Sequence, residues 1–157
     1  MLTFVDLQFV RVGEEYFIKE LAAINDDIQI LHCLFKPLFD YSLLPLKNKK
    51  QLFWLKKYHH QIDWEDGFIP YNQGKHIIDQ ELKKFKNIFV KGLEKKKWLE
   101  KHGIHVKNIE DLGCDIKIIN LYKEPSCRQH QGVCAVRNVF YLQEWFKNYD
   151  NNKNFVY

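Results

Sequence analysis

Arginine is scarce in this chain. Arg11, Arg128 and Arg137 are the only three in 157 residues, whereas lysines crowd into positions 47–57 and 83–101. That scarcity argues against a protein that reads base edges through bidentate guanidinium contacts. There is no run of about 18 apolar residues, so no membrane-spanning helix is expected. The opening MLTFVDLQFVRV lacks the basic n-region of a secretory signal and already has the pattern of a strand. An intracellular, reducing setting is therefore expected for Cys33, Cys114, Cys127 and Cys134, as metal-bound or unlinked thiols and not as a disulfide framework. A glycine-rich phosphate loop, a Ser-His-Asp order and a C-x-x-C redox pair are all missing. Internal repeats, low-complexity tracts and linkers are missing too, which leaves one domain as the expected organisation.

What is present suits a packed core: 46% hydrophobic and 15% aromatic residues, with a formal charge of +4. The domain is expected over residues 2–148, with 149–157 as a frayed tail. Leu2–Val10, Tyr16–Ile24 and Ile28–Phe35 read as three strands joined by tight turns, and Pro37 ends the third. A basic, aromatic, helix-like segment follows at Lys47–His60. The spacing of Ile77, Ile78, Leu82 and Phe85 predicts a helix over His76–Phe85. Asn87–Val90 reads as a short buried strand, and Leu93–His102 as a helix stopped by Gly103. A strand or turn at Val106–Leu112, a short helix near Asp115–Tyr122 and a final helix over about Val133–Asn148 complete the order. This predicts an α/β fold in which a three-strand antiparallel meander and βα units form a mixed sheet flanked by helices.

Four polar residues interrupt the first two strands: Asp6, Gln8, Lys19 and Glu20. In an inner strand each needs a partner. The lysine clusters admit two readings, a solvated face or a surface for a phosphate backbone, with Trp54, Tyr58, Trp64 and Trp98 available to stack on bases. Cys127, His130 and Cys134 set thiolate, imidazole and thiolate within eight residues, just before a helix. Soft sulfur and borderline nitrogen at that spacing suit tetrahedral zinc, while ordinary buried thiols beside a loop histidine are the alternative.

FVDLQ at Phe4–Gln8, followed by IKELAAI at Ile18–Ile24, resembles the first motif of the DEDD-class exonucleases, which have an RNase H-like fold. In that family four carboxylates converge on two metal ions that activate water. Asp6 matches the first acid, but Gln8 stands where the second should be. Lysines surround the second-motif position, where Glu94 is the nearest acid, and no acid occurs between Glu124 and Glu144 for the third. Nuclease chemistry of the two-metal type is therefore not expected.

The set CRQH…CAV with KELAAI resembles the Maelstrom domain, a catalytically degenerate member of that fold. The resemblance implies a structural Zn²⁺ held by Glu20, Cys127, His130 and Cys134; within this chain Glu94 and Cys114 are the alternatives to Glu20 as fourth ligand. It also implies binding of single-stranded RNA in small-RNA silencing of transposons, with protein partners of a silencing complex. The RNA-binding residues are then expected among Lys91, Lys95, Lys96, Lys97, Trp54 and Tyr58. A zinc-stapled protein scaffold and a weak ribonuclease with a non-standard site are the alternatives.

Overall fold

The first two strands are built from β-favouring Phe, Val, Ile and Leu, and Gly13 turns the chain between them at φ 64°, where a side chain would be strained. In the computed structural model, which describes residues 2–26, 28–115, 127, 129, 130 and 132–154, these are β1 (Thr3–Val12) and β2 (Glu15–Asn25). β3 (Ile28–Leu34) pairs antiparallel with β2, so the meander forms as expected. β4 (Ile88–Val90) lies parallel to β1, and β5 (Lys107–Asn108) parallel to β4. The sheet is five-stranded and mixed, in the order β3-β2-β1-β4-β5. With helices on both faces, the chain is an α/β protein.

Alternation along β1 divides the core in two. Val5 and Leu7 pack with Leu21, Ile78, Leu82, Val90 and Leu99 on one face. Phe4 packs with Ala22, Ile24, Val136, Val139 and Leu142 on the other. The helices on the first face are α2 (Gly74–Ile77), continued by a π-turn at Ile78–Leu82, and α3 (Leu93–Lys101). The second face is covered by the closing helix, Ala135–Asn154. Because α1 (Leu46–Tyr58) precedes these, that closing helix is α4. Leu142 is fully buried beneath it, and truncation to Ala would cost ~2–5 kcal/mol.

A β-bulge interrupts the β1–β2 ladder. Gln8 faces Glu20 but Phe9 faces Ile18, so Lys19 is an extra residue on β2. The consequence is a change of face: Ile18 packs with Val5 and Leu7, while Glu20, two residues on, is buried on the α4 side. Lys19 itself is buried and donates to the carbonyls of Phe35 at 2.8 Å, Trp64 at 2.7 Å and Asp66. Burial pulls its ammonium down to about 8, against the attraction of Asp66, Glu65 and Asp63.

Several expected elements are altered. The helix expected over His76–Phe85 is shorter and passes through the π-turn, which keeps Ile78 and Leu82 buried. Only two residues of Val106–Leu112 are strand, and the rest is a 3-10 turn at Ile109–Leu112. α4 runs to Asn154, beyond the expected Asn148, and Tyr149 stacks on Trp145 one turn earlier, with rings 5.2 Å apart. The short helix expected near Asp115–Tyr122 lies almost entirely outside the described residues. Among the described residues no helix is long and apolar enough to cross a membrane.

Candidate metal centre

Glu20 lies in the middle of β2, immediately after the bulged Lys19, and its carboxylate is completely buried under the start of α4. Cys127 and His130 come from the segment leading to that helix, and Cys134 immediately precedes its first residue. One ligand atom from each of these four residues lies within 4.8 Å of all the others. Tetrahedral zinc with Zn–S bonds of ~2.3 Å and Zn–N or Zn–O bonds of ~2.0–2.2 Å needs ligand separations of roughly 3.3–3.8 Å. Closing the widest separation by about 1 Å and opening the 2.8 Å Glu20–His130 pair by roughly 0.5 Å would fit the set around an ion. Four protein ligands, two of them cysteines, are the number and kind that fill a closed tetrahedral zinc coordination sphere.

The surrounding hydrogen bonds aim the ligands. Glu20 Oε1 accepts from the backbone N–H of Ala135 at 2.8 Å. Glu20 Oε2 accepts from His130 Nε2–H at 2.8 Å and from His32 Nε2–H at 2.9 Å. The other ring nitrogen of His130, Nδ1–H, donates to the carbonyl of His60 at 2.7 Å, which leaves Nε2 as the atom able to bind metal. The N–H of Cys127 donates to Cys134 Sγ, and the N–H of Gln129 to Cys127 Sγ, each at 3.4 Å. Such bonds stabilise negative sulfur.

Electrostatics in the metal-free cluster are those of a site holding protons in place of a cation. Burial alone would raise Glu20, yet the bonds from His130 and His32 bring its carboxyl down to about 2. Burial would likewise lower His130, but Cys134 and Glu20 raise it to about 10. The Cys127 thiol donates to Cys134, which pushes Cys127 up and pulls Cys134 down despite burial. The neutral-pH set is therefore carboxylate, thiolate, thiol and imidazolium. A divalent cation replacing the protons of Cys127 and His130 leaves the net charge unchanged, so the donor chemistry fits zinc.

Of the substitutes for Glu20, neither joins the cluster. Glu94 is hydrogen-bonded to Tyr16 at the far end of the hairpin, and Cys114 packs among apolar side chains under α4. No disulfide joins the four cysteines.

Next to the cluster on the same face, Asp6 is also fully buried. Its Oδ1 accepts from Lys95 Nζ at 2.6 Å and its Oδ2 from Asn138 Nδ2 at 2.7 Å. Gln8, across from Glu20, reaches toward the Val133 carbonyl with Nε2 at 3.4 Å. The only acid matching the nuclease pattern is thus closed by a lysine and an amide.

The six residues expected to touch RNA are divided by the fold. Lys95 turns inward to Asp6, Lys96 lies 3.8 Å from Glu100, Lys91 is half-buried, and Lys97 is exposed. Trp54 and Tyr58 are 54% and 63% exposed on α1, with ring centroids 6.0 Å apart. Trp64 is not available for stacking, because it is buried in a small core and donates its indole N–H to the Phe39 carbonyl. Trp98 packs against Phe9 and His102.

Two partners were not anticipated, although each has a signal. His32 is opposite Ala22, diagonal to Glu20 on the same face, which follows once the β2–β3 register is known. Asn138 follows Cys134 by one helical turn, so both point from α4 toward the sheet. Compared with protein-family models, curated proteins and solved structures, the chain matches none of them.

Proposed function

We propose that this chain is a Maelstrom-like derivative of the RNase H-like exonuclease fold that has exchanged nuclease metals for one structural zinc ion and serves as a single-stranded RNA-binding module. The observation that carries the proposal is the contrast on one sheet face: Asp6 is occupied by Lys95 and Asn138, while Glu20, Cys127, His130 and Cys134 converge. A catalytic acid must be free to bind a metal, and an ammonium at 2.6 Å already neutralises this one. The order of a β1–β2–β3 meander, parallel β4 and β5, and a closing helix over β1 and β2 supports the same assignment.

RNA binding rests on α1. It carries Lys47, Lys49, Lys50, Lys56 and Lys57 with no acidic residue, and it exposes Phe53, Trp54 and Tyr58. Lysines at this spacing hold phosphates without a metal ion, and exposed rings offer stacking worth ~1–3 kcal/mol per base. Lys91 and the exposed Lys97 add basic residues around the start of α3, and by the same resemblance the setting is a small-RNA silencing complex. The test is direct. Purified protein should contain one equivalent of zinc and bind single-stranded RNA without added Mg²⁺, with affinity falling steeply as salt rises. Trp54→Ala with Tyr58→Ala should weaken binding to all sequences alike. Zinc-loaded, folded protein that ignores RNA at low salt would replace this reading with a protein-docking role for the same helix.

A further inference from the structure

The loop that carries the metal ligands also grips the end of α1. Two of the residues between His130 and Cys134 make the contact. The N–H of Val133 donates to the carbonyl of His59 at 2.9 Å, where His59 caps the helix. Gly132 is pressed against the same residues so tightly that a Cβ there would lie 2.0 Å from the His59 oxygen and 2.8 Å from that of His60. His130 completes the clamp, since its Nδ1–H donates to the His60 carbonyl. That bond is also the one that turns Nε2 toward Glu20 and Cys134.

Elsewhere α1 is held by few contacts. Asn48 donates to the Arg11 carbonyl at 3.1 Å, Leu52 and the partly buried Leu55 pack with Val10, Leu44 and Trp64, and Lys56 pairs with Asp63 at 2.6 Å on the half-exposed surface. Along the helix, Asn48 and Leu52 are its only buried side chains. The outer aromatic row continues to the clamped residue, because Trp54 stacks on His59 at 6.3 Å with rings 20° apart.

From this geometry we infer that zinc regulates α1: the ion fixes His130 and Cys134, these fix Gly132 and Val133, and the pair holds the C-terminal end of the basic aromatic helix. The inference rests on the zinc site proposed above and adds that the metal and the helix form one thermodynamic unit. Linkage makes the effect reciprocal, so loosening α1 weakens zinc binding by the factor by which zinc tightens α1.

Hydrogen exchange of the full chain, followed by mass spectrometry, tests this independently of RNA. Three samples are compared: zinc-loaded protein, protein stripped with chelator, and zinc-loaded Gly132→Ala. Zinc content is measured in each. Stripping should speed exchange in the last turns of α1 by about tenfold or more, as expected when two hydrogen bonds at the helix end lose their support. Gly132→Ala should do the same while still binding one equivalent at saturating zinc, because all four ligand side chains are kept, with an affinity lowered by the same linkage. Equal α1 protection with and without zinc overturns the inference, and so does a zinc-loaded Gly132→Ala with α1 unchanged. A wild-type chain that takes up no zinc overturns the metal reading itself, and the metal analysis identifies that case. If Gly132→Ala does not fold, Asn48→Ala gives the reciprocal measurement. Its zinc affinity, read by competition with a chelator, should fall several-fold, and an unchanged affinity in the folded variant rejects the coupling.

Discussion

Asp6 and Glu20 are both fully buried carboxylates on the α4 side of the sheet, on neighbouring strands, yet their surroundings differ. Asp6 meets a fixed positive charge and an amide, so its charge is neutralised within the protein. Glu20 meets His130 and His32 and lies beside the Cys127 thiol and the Cys134 thiolate, groups whose protons a cation can replace or whose charge it can bind. The comparison teaches that burying an acid does not make a metal site. What decides is the chemistry of the neighbours, since the Lys95 ammonium beside Asp6 has no lone pair to offer a metal, whereas His130 and Cys127 become ligands on losing a proton.

Removing one ligand should produce the largest difference between the two regions. Cys134→Ser is expected to lose zinc and to melt about 10 °C or more below the wild type in zinc-containing buffer, because saturation at ~1,000 times Kd contributes about 4 kcal/mol. A calorimetric scan with metal analysis checks it. A variant that melts like wild type would mean that the cluster is thiol packing alone.

The pH response comes next and has opposite signs with and without metal. At neutral pH both His130 and Cys127 are protonated in the empty site, because His130 is raised to about 10 and Cys127 is pushed up. Zinc entry therefore releases about two protons, and apparent affinity should change ~100-fold per pH unit, falling in acid. In chelator the sense reverses. The folded value of His130 lies above its ordinary 6.5, so its contribution is complete below that pH and is lost as pH rises toward 10. A proton-release titration and a pair of urea series, with and without zinc, measure both trends. Release of no protons would reject this protonation assignment.

The smallest effect belongs to Asp6, outside the four-residue cluster. Lys95→Met leaves the buried Asp6 carboxyl with Asn138 alone, at a cost of ~2–3 kcal/mol, less than for a fully buried pair because the lysine side chain is 24% exposed. Asp6→Asn combined with Lys95→Met should recover most of that loss, and zinc content should stay at one equivalent in both. Urea midpoints decide, and an unchanged midpoint in Lys95→Met would show the ion pair to be energetically idle.

Much of the sheet was legible because its information is local. Apolar runs, Gly13 and the turn at residue 26 mark the meander directly. The positions of Cys127, His130 and Cys134 were readable for the same reason, since three such ligand types within eight residues are uncommon by chance. Glu20 was reached through resemblance, and its place among these ligands depends on α4 lying over β2. Contacts with no local signature were not legible. Nothing near Lys95 in the chain announces Asp6, and the apolar neighbours that bury Trp64 lie in other elements. The π-turn escaped detection because five residues per hydrogen-bonded ring and four give nearly the same apolar spacing over one turn.

Lys19 acts on β2 as a single inserted letter acts on a reading frame. Before it, even-numbered residues belong to the α3 side of the sheet, as Ile18 does; after it, even-numbered residues belong to the α4 side, as Glu20 and Ala22 do. One extra residue therefore lets the same strand serve two incompatible patterns, an apolar one at the hairpin and a ligand-bearing one farther on. The insertion is kept in place by its own side chain, whose three carbonyl partners lie outside β2. Deleting Lys19 would restore a regular ladder and move every residue of one half to the wrong side, so the shift in phase is itself part of what brings the Glu20 carboxylate to its ligand partners.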